Sequence, residues 1–439
     1  MKSSRTLVRE LINQNNQTVT VEGWLHKRRL LGGLNFIVVR DRTGVVQILI
    51  EKKAEIEKLR GLQVGTVLRV TGKVLQDERA PGGVELHEPK LEIVVPVTEE
   101  PIIEIDKAIS HKPEHLETLF DNRVISLRNL QEQKIFRIRA AVNADIRSYL
   151  AKQEFIEIQT PKLLAEATEG GAEVFTLDYF GKQATLAQSP QFYKQIMVGV
   201  FERVFEIGPA YRAEPSATTR HVSEVTMLDI EMGFIDGHED VLNTIQDMTY
   251  AVLNNIYDVM ADELKSLNAP KLTLTKTFPR YTVAEVHELY TNAGNDSTIG
   301  EKDLRPDEER WICEYAKKQA GCEAVFVTEM PIETHKFYQM INPENPQTVL
   351  SADLLFRGVE IATCPMREHN YDKLISQMKD KGINPDAPGF QHYLTAFKFG
   401  LPPHGGCGFG IDRFVEKIIG LANVKEAILF PRDINRLDP

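Results

Sequence analysis

Cysteine is scarce in this chain, which has four, Cys313, Cys322, Cys364 and Cys407, in 439 residues. None pairs as Cys-x-x-Cys, which sets aside a disulfide framework and a zinc site and leaves oxygen as the ligand of any metal. Long apolar runs are missing too. No stretch nears the ~18 residues of a membrane span, and the opening MKSSRTLVRE lacks the apolar core of a signal peptide, so a cytoplasmic protein without a membrane partner is expected. There is no Gly-x-Gly-x-x-Gly fingerprint and no regular alternation of strand and helix, which argues against a doubly wound nucleotide fold. No internal repeat is found.

What is present has the balance of a globular protein, 42% hydrophobic and 26% charged. Its length exceeds one ordinary core, so two domains are expected. The net charge of -11 argues against a generic polyanion binder, yet it is unevenly spread. Residues 1–105 hold 16 Lys+Arg against 14 Asp+Glu, a surplus of +2, which leaves -13 for the remainder.

The first hundred residues alternate with period two in QTVTVEGWLHK, LNFIVVRDRTGVVQILI, GTVLRVTGKVL and KLEIVVPV, between Gly-rich turns. Short strands so spaced predict a small Greek-key barrel of the oligonucleotide-binding (OB) kind over 1–104. Such barrels stack bases on a face aromatic beside basic residues. Phe36 is the candidate platform, although filling the barrel is the commoner fate of such a residue. Gln47 is placed to read a base edge, and Lys27, Arg28 and Arg29 to meet phosphate. Residues 105–130 show no strong period and read as a hinge. From 131 to 439 a second domain opens with a helix whose apolar positions 135, 138, 142, 146, 149 and 150 share one face. It runs into EFIEIQTPKLL, a strand stopped at Pro161. The later segments ATLAQ, RVFEIGPAYRA and VTMLDIEMGF predict a mainly antiparallel sheet with flanking helices, an α+β fold, with a helix-rich insertion at about 236–345.

Two stretches carry the chemistry. YRAEPSATTRH sets Arg212, Glu214, Arg220 and His221 within eleven residues, without nucleophile or metal-ligand spacing. Guanidiniums fork onto phosphate, while a carboxylate between them must address a hydrogen-bond donor; a nucleotide offers both, and a solvated loop with surface ion pairs is the bland alternative. PPHGGCGFGIDRFVEKII puts four glycines, which let backbone approach a ligand, ahead of Arg413 and an amphipathic helix.

Together with the helix, strand and proline before them, these stretches resemble the three ordered motifs of the class II aminoacyl-tRNA synthetases. Over nearly the whole chain the pattern is similar to the aspartyl-tRNA synthetases of archaeal type. The resemblance implies ATP-dependent ligation of L-aspartate to tRNA-Asp through an aspartyl-adenylate. It implies that Arg212 grips the α-phosphate as the catalytic arginine, Glu214 accepts from the adenine amine, Arg220 and His221 meet the outer phosphates or the loop, and Arg413 stacks on adenine. Asp353 and Glu360 in SADLLFRGVE, with Thr363, would hold magnesium, Glu360 also serving ATP; without the resemblance the two acids could simply pair with Arg357. Glu169 would face the α-ammonium of aspartate, with Gln191 and Thr363 in the same pocket. Lys194 and Arg367 would hold the side-chain carboxylate, oriented by Asp229. Asparaginyl enzymes lack the lysine corresponding to Lys194. A buried cation pair left without its carboxylate is costly, so asparagine should be rejected. The anticodon set implied is His26, Arg28, Phe36, Gln47, Pro81 and Glu85.

In this family, members confined to tRNA-Asp tend to carry tryptophan at the place of His26 and lysine at that of Pro81. Histidine and proline imply charging of tRNA-Asn as well, with an amidotransferase acting downstream. Motif one implies a homodimer. One departure stands out: Cys364-Pro365-Met366 replaces the usual Gly-Gly-Gln, with side chains large enough to narrow the site floor. The rival readings are an asparaginyl-tRNA synthetase, an aspartyl enzyme confined to tRNA-Asp, an asparagine synthetase of the same lineage, and an RNA-binding protein with a degenerate catalytic domain.

Overall fold

The computed structural model describes residues 5–31, 34–165, 173–215 and 218–438, and its contacts divide the chain into two units, 1–133 and 134–439. In the first unit β1 (Thr18–Leu31), β2 (Leu34–Arg40), β3 (Val45–Leu49), β4 (Val67–Gln76) and β5 (Val84–Val95) close into a barrel in the order β1-β2-β3-β5-β4. The period-two reading holds because alternate residues fill the inside: Val21, Val46, Ile48, Val70 and Leu86 are all buried in one cluster. Gly23 lets β1 bend against β2, since a Cβ there would lie 2.2 Å from the Arg40 carbonyl oxygen. A register shift between Leu25 and Lys27 puts His26 in a bulge, which re-aims the residues that follow. The stretch 105–130 contains two short helices, Pro113–Asp121 and Arg123–Ser126.

The second unit begins within the helix Leu130–Lys152, whose Ile135, Ile138, Val142, Ile146 and Leu150 are wholly buried. After it come β6 (Ile156–Glu157), β7 (Leu163–Leu164), β8 (Thr176–Tyr179), β9 (Lys182–Leu186), β10 (Arg203–Tyr211) and β11 (Glu224–Gly233). The remaining strands are β12 (Arg280–Thr282), β13 (Ala324–Pro331), β14 (Thr348–Phe356), β15 (Val359–Thr363) and β16 (His404–Gly410). Eight of them form one sheet, β12-β13-β14-β15-β16-β11-β10-β6, antiparallel except at its two ends. A small sheet, β7-β9-β8, stands apart from it.

The strand expected along EFIEIQTPKLL shrinks to the two residues of β6. Beyond it the carboxylate of Glu206 takes the hydroxyl of Thr160 (2.6 Å) and the ammonium of Lys162 (2.8 Å), drawing the chain off the ladder just where Pro161 has no N–H to give. The stretch 236–345 supplies β12 and β13 to the main sheet. β13 opens on an apolar run, Ala324 to Val327, because both faces are covered there. Phe326 faces a core shared with the helices Leu130–Lys152 and His238–Val259, whereas Val325 and Val327 face the helices Val283–Asn292 and Pro306–Ala320.

β16 lies against β11 with Glu231 opposite Gly406 and Asp229 opposite Gly408. A Cβ on Gly406 would sit 1.9 Å from the Ile230 carbonyl oxygen and 2.6 Å from a Glu231 carboxylate oxygen, so the two strands approach only because it has none. Gly406→Ala is expected to cost about 3 kcal/mol in urea unfolding, by forcing β16 away from β11. Gly408→Ala, whose nearest neighbours lie at 3.6 and 3.9 Å, should cost under about 1 kcal/mol. Equal losses would contradict this packing.

Candidate active site

A cavity of about 370 Å³ opens over β11, β14, β15 and β16, in the size range of small-molecule sites. Arg212, Glu214, Arg220, His221 and Arg413 line one part of it, as the sequence predicts. Glu214 stands between a guanidinium and an imidazole, 3.8 Å from Arg212 Nη1 and 3.5 Å from His221 Nε2. His221 Nδ1 is 2.6 Å from the Thr218 hydroxyl, which also accepts from the Arg220 N–H (3.2 Å), so the loop is braced from within. Arg220 is tied further: its Nη1 donates to Glu309 (2.8 Å), on the helix Pro306–Ala320. Burial pushes Glu309 up, and Arg220 offsets only part of that. No spacing in the sequence links residues 220 and 309.

Arg413, on the helix Ile411–Ile419 that follows β16, donates to the Glu360 backbone oxygen (3.1 Å) and stands 3.4 Å from its carboxylate. Thr363 donates to the other oxygen of Glu360 (2.9 Å) and faces Asp353 across β14 and β15. Asp353 is half-buried, and its Oδ1, itself buried, has no hydrogen-bond partner. Burial first, and Glu360 second, hold it well above the usual carboxylate range. Among the described residues no group of three or more His, Cys, Asp or Glu side chains forms a metal cage. Two hard oxygen donors, one of them with an orphaned buried oxygen, fit a magnesium ion that takes its other ligands from phosphate and water. Asp303, in the stretch preceding the helix Pro306–Ala320, lines the same cavity and was not legible in the sequence.

The other part of the cavity is lined by Gln191, Lys194, Asp229, Thr363 and Arg367. Glu169 lies outside the described residues. Lys194, on the helix Gln191–Phe201, donates to Asp229 Oδ1 (2.9 Å) and to the Cys407 carbonyl oxygen (2.9 Å). Arg367 is not held by Asp229: its Nε and Nη2 fork onto Glu231, at 2.9 and 3.1 Å. Glu231 also lies 3.6 Å from Lys194, so a glutamate missing from the predicted set joins both cations. Period two could have found it, since Asp229 and Glu231 are two apart on β11 and share a face. Burial alone would raise Glu231, but Arg367 and Lys194 outweigh it and hold the carboxyl below its ordinary range. The Tyr338 ring, 5.3 Å from the guanidinium carbon, backs Arg367.

The cations are therefore not left bare, as the sequence reading assumed, but neutralised in place. What they keep for a ligand is donors: Arg367 Nη1 and the remaining N–H of Lys194, neither of which can accept. A carboxylate satisfies both; a carboxamide would set its NH₂ against one of them. Of Cys364, Pro365 and Met366, only Pro365 lines the cavity. Cys364 and Met366 are buried, and burial with the neighbouring Cys407 thiol pushes Cys364 up, as in an inert core thiol.

In the barrel, Phe36 is half-buried and outside the core cluster, with the Arg29 guanidinium 5.5 Å from its ring centre. Gln47 donates to Glu85 across the parallel pair of β3 and β5. Arg28 gives its Nη1 to the carbonyls of Leu59 and Leu62 (2.7 Å each), bracing the helix Lys53–Leu59. His26 is half-buried, its pKa lowered by burial and by Arg40, and Pro81 is exposed in the turn before β5.

The family described as class II tRNA synthetases (D, K and N) matches residues 115–434, and that described as OB-fold nucleic acid binding domain matches 19–94. The chain is 40% identical to the aspartate–tRNA(Asp/Asn) ligase of Methanopyrus kandleri, over 97% of each chain. It is 41% identical to the aspartate–tRNA(Asp) ligase of Pyrococcus abyssi, again over 97% of each. The crystal structure of asparaginyl-tRNA synthetase from Pyrococcus horikoshii with asparaginyl-adenylate superposes with a TM-score of 0.90 at 30% identity, covering 99% of this chain and 100% of that one.

Glu231→Gln should cost about 3–5 kcal/mol of stability at pH 7, because it leaves Lys194 and Arg367 one anion short. A carboxyl depressed in the folded state stabilises above its unfolded value and stops doing so as pH falls through the folded one. The gap between the two proteins in urea unfolding should therefore narrow below the glutamate range. A constant gap, or one under about 1 kcal/mol, would contradict the network.

Proposed function

Since the chain belongs to the class II tRNA synthetases (D, K and N) and is an aspartate–tRNA ligase, we propose that it charges tRNA-Asn as well as tRNA-Asp with L-aspartate. The observation that carries the choice of amino acid is the buried quartet of Lys194, Asp229, Glu231 and Arg367, whose two cations face the cavity with donors that a side-chain carboxylate can satisfy.

The reaction needs no protein nucleophile. The α-carboxylate of aspartate attacks the α-phosphorus of ATP, pyrophosphate leaves, and the terminal ribose 3′-hydroxyl of the tRNA takes the aspartyl group from the adenylate. Arg212 offsets the charge that builds on phosphorus, and Glu214 accepts from the adenine amine. Arg413 offers its guanidinium plane to the base, while Arg220 and His221 face the outer phosphates. Asp353 and Glu360, with Thr363 beside them, would hold a magnesium ion, which would supply charge neutralisation on the phosphates. Glu169 and Gln191 address the α-ammonium.

On the barrel, Phe36 stacks an anticodon base, Gln47 and Glu85 read an edge, and Arg28 and its neighbours meet the backbone. Support for charging both tRNAs comes from His26 and Pro81, a histidine in a bulge and a proline in an exposed turn, where members confined to tRNA-Asp tend to carry tryptophan and lysine. Relatives of both kinds stand at similar identity, so overall likeness does not choose between them. Aspartyl-tRNA-Asn then requires an amidotransferase in the same compartment, the cytoplasm. Exposed Ile156 and Leu163, on either side of Pro161, support a homodimer built on this segment.

Aspartylation of tRNA-Asp and tRNA-Asn transcripts in parallel tests the proposal. Efficient charging of both is expected; charging of tRNA-Asp alone refutes it. Phe36→Ala should raise KM for either tRNA about tenfold or more while leaving aspartate-dependent pyrophosphate exchange unchanged. Loss of exchange in that variant would contradict a role confined to the anticodon.

A further inference from the structure

Behind Gln191 runs a buried hydrogen-bond chain that none of the steps above uses. His404 opens β16, and its Nδ1 lies 2.8 Å from the Pro402 carbonyl oxygen, which can only accept. The ring proton is therefore on Nδ1, and Nε2 is an acceptor. Gln195 places its Nε2 2.9 Å from that ring nitrogen and donates to it. Its Oε1 then points the other way, where it takes the Tyr393 hydroxyl (3.1 Å) and Gln191 Nε2 (2.8 Å). With its amide nitrogen drawn back into the chain, Gln191 turns its carbonyl oxygen toward the cavity that it lines.

Each orientation follows from the one before it, and the carbonyl of Pro402, which cannot donate, fixes the first. His404 and Gln195 are wholly buried, so no bulk water can replace a lost partner. We propose that His404 is a positioning residue for the amino-acid substrate, holding Gln191 through Gln195 so that the Gln191 carbonyl oxygen receives the α-ammonium group. The opposite amide orientation would present NH₂ donors to an ammonium that is itself only a donor. A neutral ring is needed throughout, and burial takes the His404 pKa down to about 4, against the smaller upward pull of Glu231. The inference rests on the reading of this cavity as the aspartate site.

The test is ATP–pyrophosphate exchange by His404→Leu, which removes the acceptor, and His404→Gln, whose side-chain oxygen can replace Nε2. KM for aspartate should rise about tenfold to a hundredfold in His404→Leu, the size expected for one mis-set buried hydrogen bond. KM for ATP should stay within about twofold, and His404→Gln should recover most of the loss. If His404→Leu fails to fold, Gln195→Met breaks the same chain one link on and should show the same split. An unchanged KM for aspartate, an equal rise for ATP, or failure of His404→Gln to recover would overturn the proposal. Exchange by the wild-type protein that does not depend on aspartate would remove the functional reading itself, and the proposal with it.

Discussion

The second unit is organised around one carboxylate. Glu231 is fully buried and holds Arg367 by a two-point fork while reaching Lys194 from the other side. Burying any one of these charges alone would be prohibitive; burying them together, with Asp229 as the second anion, balances the group. That balance fixes neighbouring structure. β16 must pass close enough to lend Lys194 the Cys407 carbonyl, and Gly406 permits that approach. The helix Gln191–Phe201 must sit where Lys194 can reach β11. A pocket built this way does not wait for its ligand to become stable; it presents the leftover donors of cations already held in place.

The part of the cavity lined by Arg212, Glu214 and Asp353 works by the opposite logic. Glu214 stands close to Arg212 and His221 at the longer distances of contacts that a ligand can compete with. Asp353 is half-buried with a buried, unpartnered oxygen and a raised pKa, a state that a divalent cation would relieve. One part of the site is thus electrostatically balanced by its own residues. The other is electrostatically unfinished.

Much of this was legible in the sequence because local periodicity and motif spacing are short-range signals. The barrel strands, the buried stripe of the helix Leu130–Lys152 and the clustering of Arg212, Glu214, Arg220 and His221 all follow from residues within a few turns of one another. Contacts between distant segments were not legible. Arg220 meets Glu309 across 89 positions, and no local pattern marks either as the other's partner. β6 was overestimated because alternation in EFIEIQTPKLL says nothing of Glu206, whose carboxylate captures Thr160 and Lys162. Glu231 is a different kind of miss: its period-two relation to Asp229 lay in plain view, but a motif-based reading stopped at the first acid. Phe36 illustrates the reverse, a residue whose commoner fate is the core and which the fold leaves half-open beside Arg29.

Amino-acid choice is the sharpest consequence of the paired cations Lys194 and Arg367, and pyrophosphate exchange driven by aspartate or by asparagine measures it without any tRNA. The account predicts exchange with aspartate and a kcat/KM for asparagine lower by about a thousandfold or more, because the carboxamide leaves buried donors unpaired. Comparable exchange with asparagine would show that the quartet around Glu231 does not select the ligand by the polarity of its hydrogen bonds.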